Sequence, residues 1–106
     1  MLSHKSIESY IFQLPHTRLE YPFGENIAVY KNSKDKMFAL IQEESKPLRI
    51  SLKSDPELAK VLREKYESVQ PGYHLNKKHW NTILLTGQMP DEELLDLVRH
   101  SYELTK

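Results

Sequence analysis

The sequence predicts an α+β fold in which a mostly antiparallel sheet of about five strands carries helices on one face, in the order α-β-β-β-β-α-β-α. Three observations predict it. Apolar residues recur at helical spacing in three segments, each bounded by helix-start or helix-stop residues. Between the first two of these the period drops to two, with Leu48, Ile50 and Leu52 alternating with Arg49, Ser51 and Lys53. Two apolar runs, Ile27 to Tyr30 and Met37 to Ile41, flank the turn-forming residues Asn32-Ser33-Lys34-Asp35, as expected of a hairpin.

Taken in order, the first helix is capped by Ser3, buries Ile7, Tyr10, Ile11 and Leu14, and ends at Pro15. Leu19 and Tyr21 alternate with Arg18 and Glu20 as a short strand, and Pro22-Phe23-Gly24-Glu25 supplies a turn before the hairpin. The strand Leu48 to Lys53 is expected to have one buried face and one wet face. Asp55-Pro56-Glu57 then opens the second helix, with a capping residue, proline at the first helical position and an acid that suits the dipole. Its apolar stripe is Leu58, Val61, Leu62 and Tyr66. A last strand runs from about Trp80 to Leu85 and stops at Thr86-Gly87. The third helix opens at Pro90-Asp91-Glu92-Glu93 and carries Leu94, Leu95, Val98 and Tyr102 on one side. No linker or internal repeat interrupts residues 1–106, so one domain is expected.

Composition removes several function classes. Fifteen basic residues balance fifteen acidic ones in 106 residues, so net charge points to neither nucleic acid nor membrane. Without cysteine there are no disulfides, thiolate nucleophiles or cysteine metal sites. The N-terminus lacks the apolar core of a signal peptide, and no apolar run approaches membrane-spanning length, so a cytoplasmic monomer is expected. The three glycines lie far apart and form no phosphate loop. Ser51 and Ser54 have no histidine and acid partners readable from the sequence, so no enzyme is expected. His74 and His79 stand five apart without the further ligands a zinc site requires, and no metal or cofactor is expected.

One segment is specialised. Gln70 to Gly87 gathers two lysines, two histidines, a tyrosine and the only tryptophan with no carboxylate, while residues 87–106 carry Asp91, Glu92, Glu93, Asp96 and Glu103 against Arg99 and Lys106. Lys77 and Lys78, with His74 and His79 when protonated, suit phosphate contact, and Arg49 and Lys53 on the exposed strand face extend that field. Tyr73 or Trp80 would offer a stacking plane, although a tryptophan that opens an apolar strand is more often core.

Several blocks of the chain resemble the MmcQ/YjbR family of small bacterial proteins. They are residues 21–31 (YPFGENIAVYK), 36–41 (KMFALI), 50–58 (ISLKSDPEL), 71–81 (PGYHLNKKHWN) and 100–104 (HSYEL). The resemblance implies a frataxin- or CyaY-like two-layer sandwich and DNA binding through a double-wing arrangement. Frataxin-like iron handling does not carry over, because the first helix has Glu8 as its only acid. Two functions remain open at this stage. One is a DNA-binding module contacting phosphate through the basic loop Tyr73 to Asn81. The other is a protein-interaction or regulatory domain using that loop or the polar sheet face.

Overall fold

The computed structural model describes residues 2–72 and 75–106. Three helices, α1 (His4–Gln13), α2 (Pro56–Lys65) and α3 (Asp91–Thr105), accompany six strands: β1 (Arg18–Glu20), β2 (Ile27–Lys31), β3 (Met37–Gln42), β4 (Arg49–Lys53), β5 (Val69–Pro71) and β6 (Trp80–Leu84). The strands form one antiparallel sheet in the order β1-β2-β3-β4-β6-β5. α3 lies on β3 and β4, α2 lies on β5 and β6, and α1 packs against α3.

Local sequence explains most boundaries. Ser3 and Ser6 form a reciprocal capping box at the start of α1, with the Ser6 N–H donating to Ser3 Oγ at 3.1 Å and the Ser3 N–H to Ser6 Oγ at 2.8 Å. Asp55 occupies the N-cap of α2 with Pro56 behind it, yet its side chain makes no capping bond. Gly24 has φ +134°, a backbone region that a side chain disfavours, which explains glycine in the turn before β2.

The sheet departs from expectation by one strand: it has six rather than five. The extra strand, β5, is three residues long and ends at Pro71, which lacks the N–H needed to continue pairing and is tolerated because β5 is an edge strand. So short a segment carries no readable alternation. On α2, Val61 is 52% exposed rather than part of the buried stripe, and on α3 Leu97 is buried where the stripe was drawn through Leu95. A β-bulge lies between β2 and β3, where Tyr30 pairs with Ala39 and Lys31 with Met37. Phe38, left without a partner there, packs edge-on against Tyr102 of α3 at 5.2 Å.

The main core fills the helix side of the sheet with residues such as Ile7, Ile11, Tyr30, Ile41, Ile50, Leu62, Ile83 and Val98. The opposite side has a second, smaller cluster of Val29, Leu40 and Trp80, with Ile27, Met37 and Leu75 against it. The wet face predicted for β4 is therefore partly dry. Ser51 is buried and shares a 2.8 Å hydrogen bond with Thr82 of β6. No helix among the described residues is long and apolar enough to cross a membrane.

Candidate nucleic-acid interface

The connection from β5 to β6 is anchored at both ends. Gly72 lies so close to β6 that a Cβ there would stand 2.8 Å from Trp80 Cβ and 3.2 Å from Leu75 Cβ, so only glycine fits. Its N–H donates to the Trp80 carbonyl at 2.8 Å. Asn76 then shapes the turn. Its carbonyl accepts from the His79 and Trp80 N–H groups at 3.2 and 2.9 Å, and its side-chain Oδ1 accepts from the Lys78 N–H at 2.9 Å. This is the local chemistry that turns Lys77, Lys78 and His79 outward while Leu75 and Trp80 face the smaller cluster.

Two neighbouring elements hold the turn. The Ser54 N–H, just past β4, donates to the His79 carbonyl at 2.7 Å. From α2, one guanidinium nitrogen of Arg63 donates to Asn81 Oδ1 at 2.7 Å and to the Lys77 carbonyl at 3.2 Å. Asn81 Nδ2 donates in turn to the Ala59 carbonyl at 3.0 Å. The basic turn is thus fixed to the first strand-helix junction beside it and to the last turn of α2.

Four of the sequence-predicted residues come together here. Lys77 and Lys78 are exposed, His79 is half-buried, and Lys53 pairs in register with Trp80. Lys77 Nζ leans on the Gly72 carbonyl at 3.4 Å, which leaves Lys78 the freer cation. None of the four forms an ion pair with a described carboxylate. By contrast, on the far edge of the sheet Glu20 meets Arg18 at 2.7 Å and Lys31 at 3.0 Å, and the hydrogen bond from Arg18, then that from Lys31, holds its carboxyl below the ordinary value. Arg49 does not join the group. It is exposed on the same face of β4, but four residues from Lys53, a distance of about 13 Å along a strand. His74 and Tyr73 lie outside the described residues. Trp80 is 7% exposed and serves the smaller cluster, so it is no stacking platform.

Arg63 was missed by sequence reading. It sits fourteen residues before Lys77, and nothing in α2's pattern distinguishes it from an ordinary solvated arginine. The acidic start of α3 lies away from the basic turn. β6 leads from Trp80 at the turn to Leu84, and Leu84 and Leu85 share a small hollow with Asp91 and Leu94 at the opposite end. Glu93 is tied there by the Tyr66 hydroxyl at 2.5 Å. A strand's length of about 13 Å exceeds the Debye length of roughly 8 Å at physiological salt, so these acids weaken the basic field little.

Comparison with known proteins agrees with this architecture. The crystal structure of a Deinococcus radiodurans protein with a DUF419 domain is similar with a TM-score of 0.93 and 44% identity, covering 98% of this chain and 78% of that one. A Pseudomonas syringae crystal structure matches with a TM-score of 0.85 and 30% identity, covering 99% and 100%. Uncharacterized protein YbdF of Escherichia coli O157:H7 is 35% identical over 101 residues, 95% of this chain and 82% of the relative. Uncharacterized protein YjbR of Escherichia coli K12 is 43% identical over 70 residues, 66% of this chain and 59% of the relative, so the match spans somewhat less than two thirds of that protein. None of these names states an activity. The YjbR family model matches residues 12–104, nearly the whole chain, and it follows that this chain belongs to the YjbR family.

Proposed function

We propose that this chain is a non-enzymatic binding module that contacts the phosphates of duplex DNA through the turn between β5 and β6. The observation that carries the reading is the placement of Lys77, Lys78 and His79 on a turn anchored by Asn76, Gly72 and Arg63, beside Lys53 and free of described carboxylate partners. A pre-set turn loses little conformational freedom on binding, so its cations meet phosphate at low entropic cost. Arg63 adds charge at the base of the turn. The donors available are point charges and an imidazole rather than a reading helix, so the contact is with the backbone and is indifferent to sequence. Arg49 is a contact one strand's length away, reached only by a duplex lying along β4.

The test is a fluorescence-anisotropy titration with duplex DNA over a series of salt concentrations. Three to four phosphate contacts predict a slope of log affinity against log salt of roughly −3, at about −0.9 per phosphate. The Lys77→Ala, Lys78→Ala double variant is expected to keep the wild-type melting temperature and to reduce the slope by about 2. Equal affinity of the folded double variant and the wild type overturns the reading.

A further inference from the structure

A second surface lies diagonally across the sheet from the basic turn, where α1 begins and β1 and β3 end. Two of the large apolar side chains left exposed belong to this corner, Phe12 at 48% through Tyr30 and Tyr21 at 43% through Glu43, and a third, Phe23 at 61%, stands two residues beyond Tyr21 in the turn that follows β1. Phe12 meets the Tyr30 ring edge-on at 6.0 Å. The Tyr30 hydroxyl donates to Glu8 Oε2, and the Tyr21 hydroxyl donates to Glu43 Oε2 at 2.8 Å. His4 Nε2 lies between the two carboxylates, 3.5 Å from Glu8 and 3.1 Å from Glu43. Each carboxylate therefore has one oxygen committed to a tyrosine and to His4, while no described residue donates to the other. Among the described residues no group of three or more acids, histidines or cysteines has metal-holding geometry.

From this we infer that the corner docks a basic segment of a protein partner. Exposed aromatic rings beside half-buried carboxylates form the complement of a guanidinium or ammonium group. The rings bind its face and its aliphatic stem, and the free carboxylate oxygens accept its protons. An acidic or phosphate-bearing partner would meet two like charges here and is disfavoured. The tyrosine hydroxyls set the carboxylates beforehand, so little rotamer freedom is lost when a cation arrives. The residues concerned come from α1, from the turn after β1 and from the end of β3, none of which the proposed DNA contact uses.

The test titrates the isotope-labelled full chain with a blocked tetra-arginine peptide, following backbone amide shifts. A tetra-glutamate peptide serves as control. Shifts are expected at residues 4–12, 21–24 and 43, and absent with the control. Glu43→Gln and Phe23→Ser are each expected to raise the dissociation constant by roughly five-fold, the size of one exposed cation–π or ion-pair contribution. Phe23 is the most exposed of the rings, so Phe23→Ser keeps the wild-type melting temperature and remains decisive should Glu43→Gln disturb the anchoring of α1. The Lys77→Ala, Lys78→Ala variant is expected to bind the peptide as the wild type does, whatever its affinity for DNA. Absence of shifts at millimolar peptide, shifts centred on Asp91 to Asp96, or an unchanged constant for Phe23→Ser overturns the inference. Concentration-dependent shifts at the same corner without peptide would assign the surface to a second copy of the chain and overturn it as well.

Discussion

Arg63 and Asn81 meet at 2.7 Å, joining the last turn of α2 to the second residue of β6 directly beneath the basic turn. Asn81 is 1% exposed and uses both ends of its amide, accepting from Arg63 and donating to the Ala59 carbonyl at 3.0 Å. Removing it by Asn81→Ala takes the second donor from the Ala59 carbonyl, which keeps its helical hydrogen bond within α2, and releases the arginine. The expected loss is about 1–3 kcal/mol in urea unfolding, together with weaker DNA binding from a looser turn. Arg63→Lys, whose flexible stem lacks the rigid guanidinium that holds one nitrogen against both the Asn81 and the Lys77 oxygens, is expected to show part of the same loss.

Gly72→Ala tests the close approach of the turn to β6. The new methyl would stand 2.8 Å from Trp80 Cβ and 3.1 Å from the Trp80 carbonyl oxygen, and the backbone on either side must move to admit it. Overpacking of this kind costs about 1–3 kcal/mol. Tryptophan emission reports it directly, since Trp80 is the only tryptophan and is 7% exposed, and a red shift of the folded protein is expected.

Ser101 stitches α3 to the sheet at the bulge. Its hydroxyl donates to the Phe38 carbonyl at 2.6 Å and accepts from the Lys53 N–H at 2.9 Å, with no exposed surface. Ser101→Ala strands both backbone groups where water does not reach. A loss of about 2–4 kcal/mol is expected, near the sum of two unsatisfied groups, and Ser101→Thr should recover more of it than Ser101→Val. Thermal melting of the three variants orders them.

Tyr30 gives the fold an alkaline limit. Burial first, and then its hydrogen bond to the Glu8 carboxylate, raise its pKa above the ordinary 10.0. Ionisation is thus harder in the folded chain than in the unfolded one. The stability this contributes is complete below the unfolded pKa and is lost as pH rises from there toward the folded pKa. Stability measured by urea unfolding is expected to fall as pH rises above about 10 in the wild type. Tyr30→Phe should show a shallower alkaline decline from a lower starting point, and an unchanged slope would assign the decline to other groups.

Much of the architecture was legible because local chemistry and tertiary outcome agree. Ser3 caps α1, Asp55-Pro56 opens α2, and Asn32 to Asp35 turn β2 into β3, each by interactions within a few residues. What escaped depends on neighbours distant in sequence. β5 is too short to show a period and exists because β6 supplies its partner. Val61 and Leu97 exchange expected roles because the orientation of each helix on the sheet, not its own pattern, decides which edge of an apolar stripe is covered. Ser51 was expected to be wet because its strand alternates, yet a second cluster on that face dries it.

The candidate site divides in the same way. Lys77, Lys78 and His79 were legible because lysines without nearby acids stand out in any window of sequence. Arg63 was not, since its role rests on contact with Asn81 and Lys77 across the gap between helix and sheet. At the opposite corner nothing stood out in the sequence, because Tyr21, Tyr30 and Glu43 are brought to His4 and Glu8 only by the packing of α1 and the strand register.

By itself the sequence determined the fold class, the order of the main elements, the family and the position of the basic turn, because hydrophobic periodicity, capping and turn residues act over short range. The tertiary structure decided that Trp80 belongs to a small core on the open face, that Arg49 stands apart from Lys53, and that Arg63 braces the turn. It also separated the cations at one corner from the carboxylates and aromatic rings at the other. Those outcomes rest on sheet order and on which face a side chain occupies, and both are set only when distant strands and helices pack together.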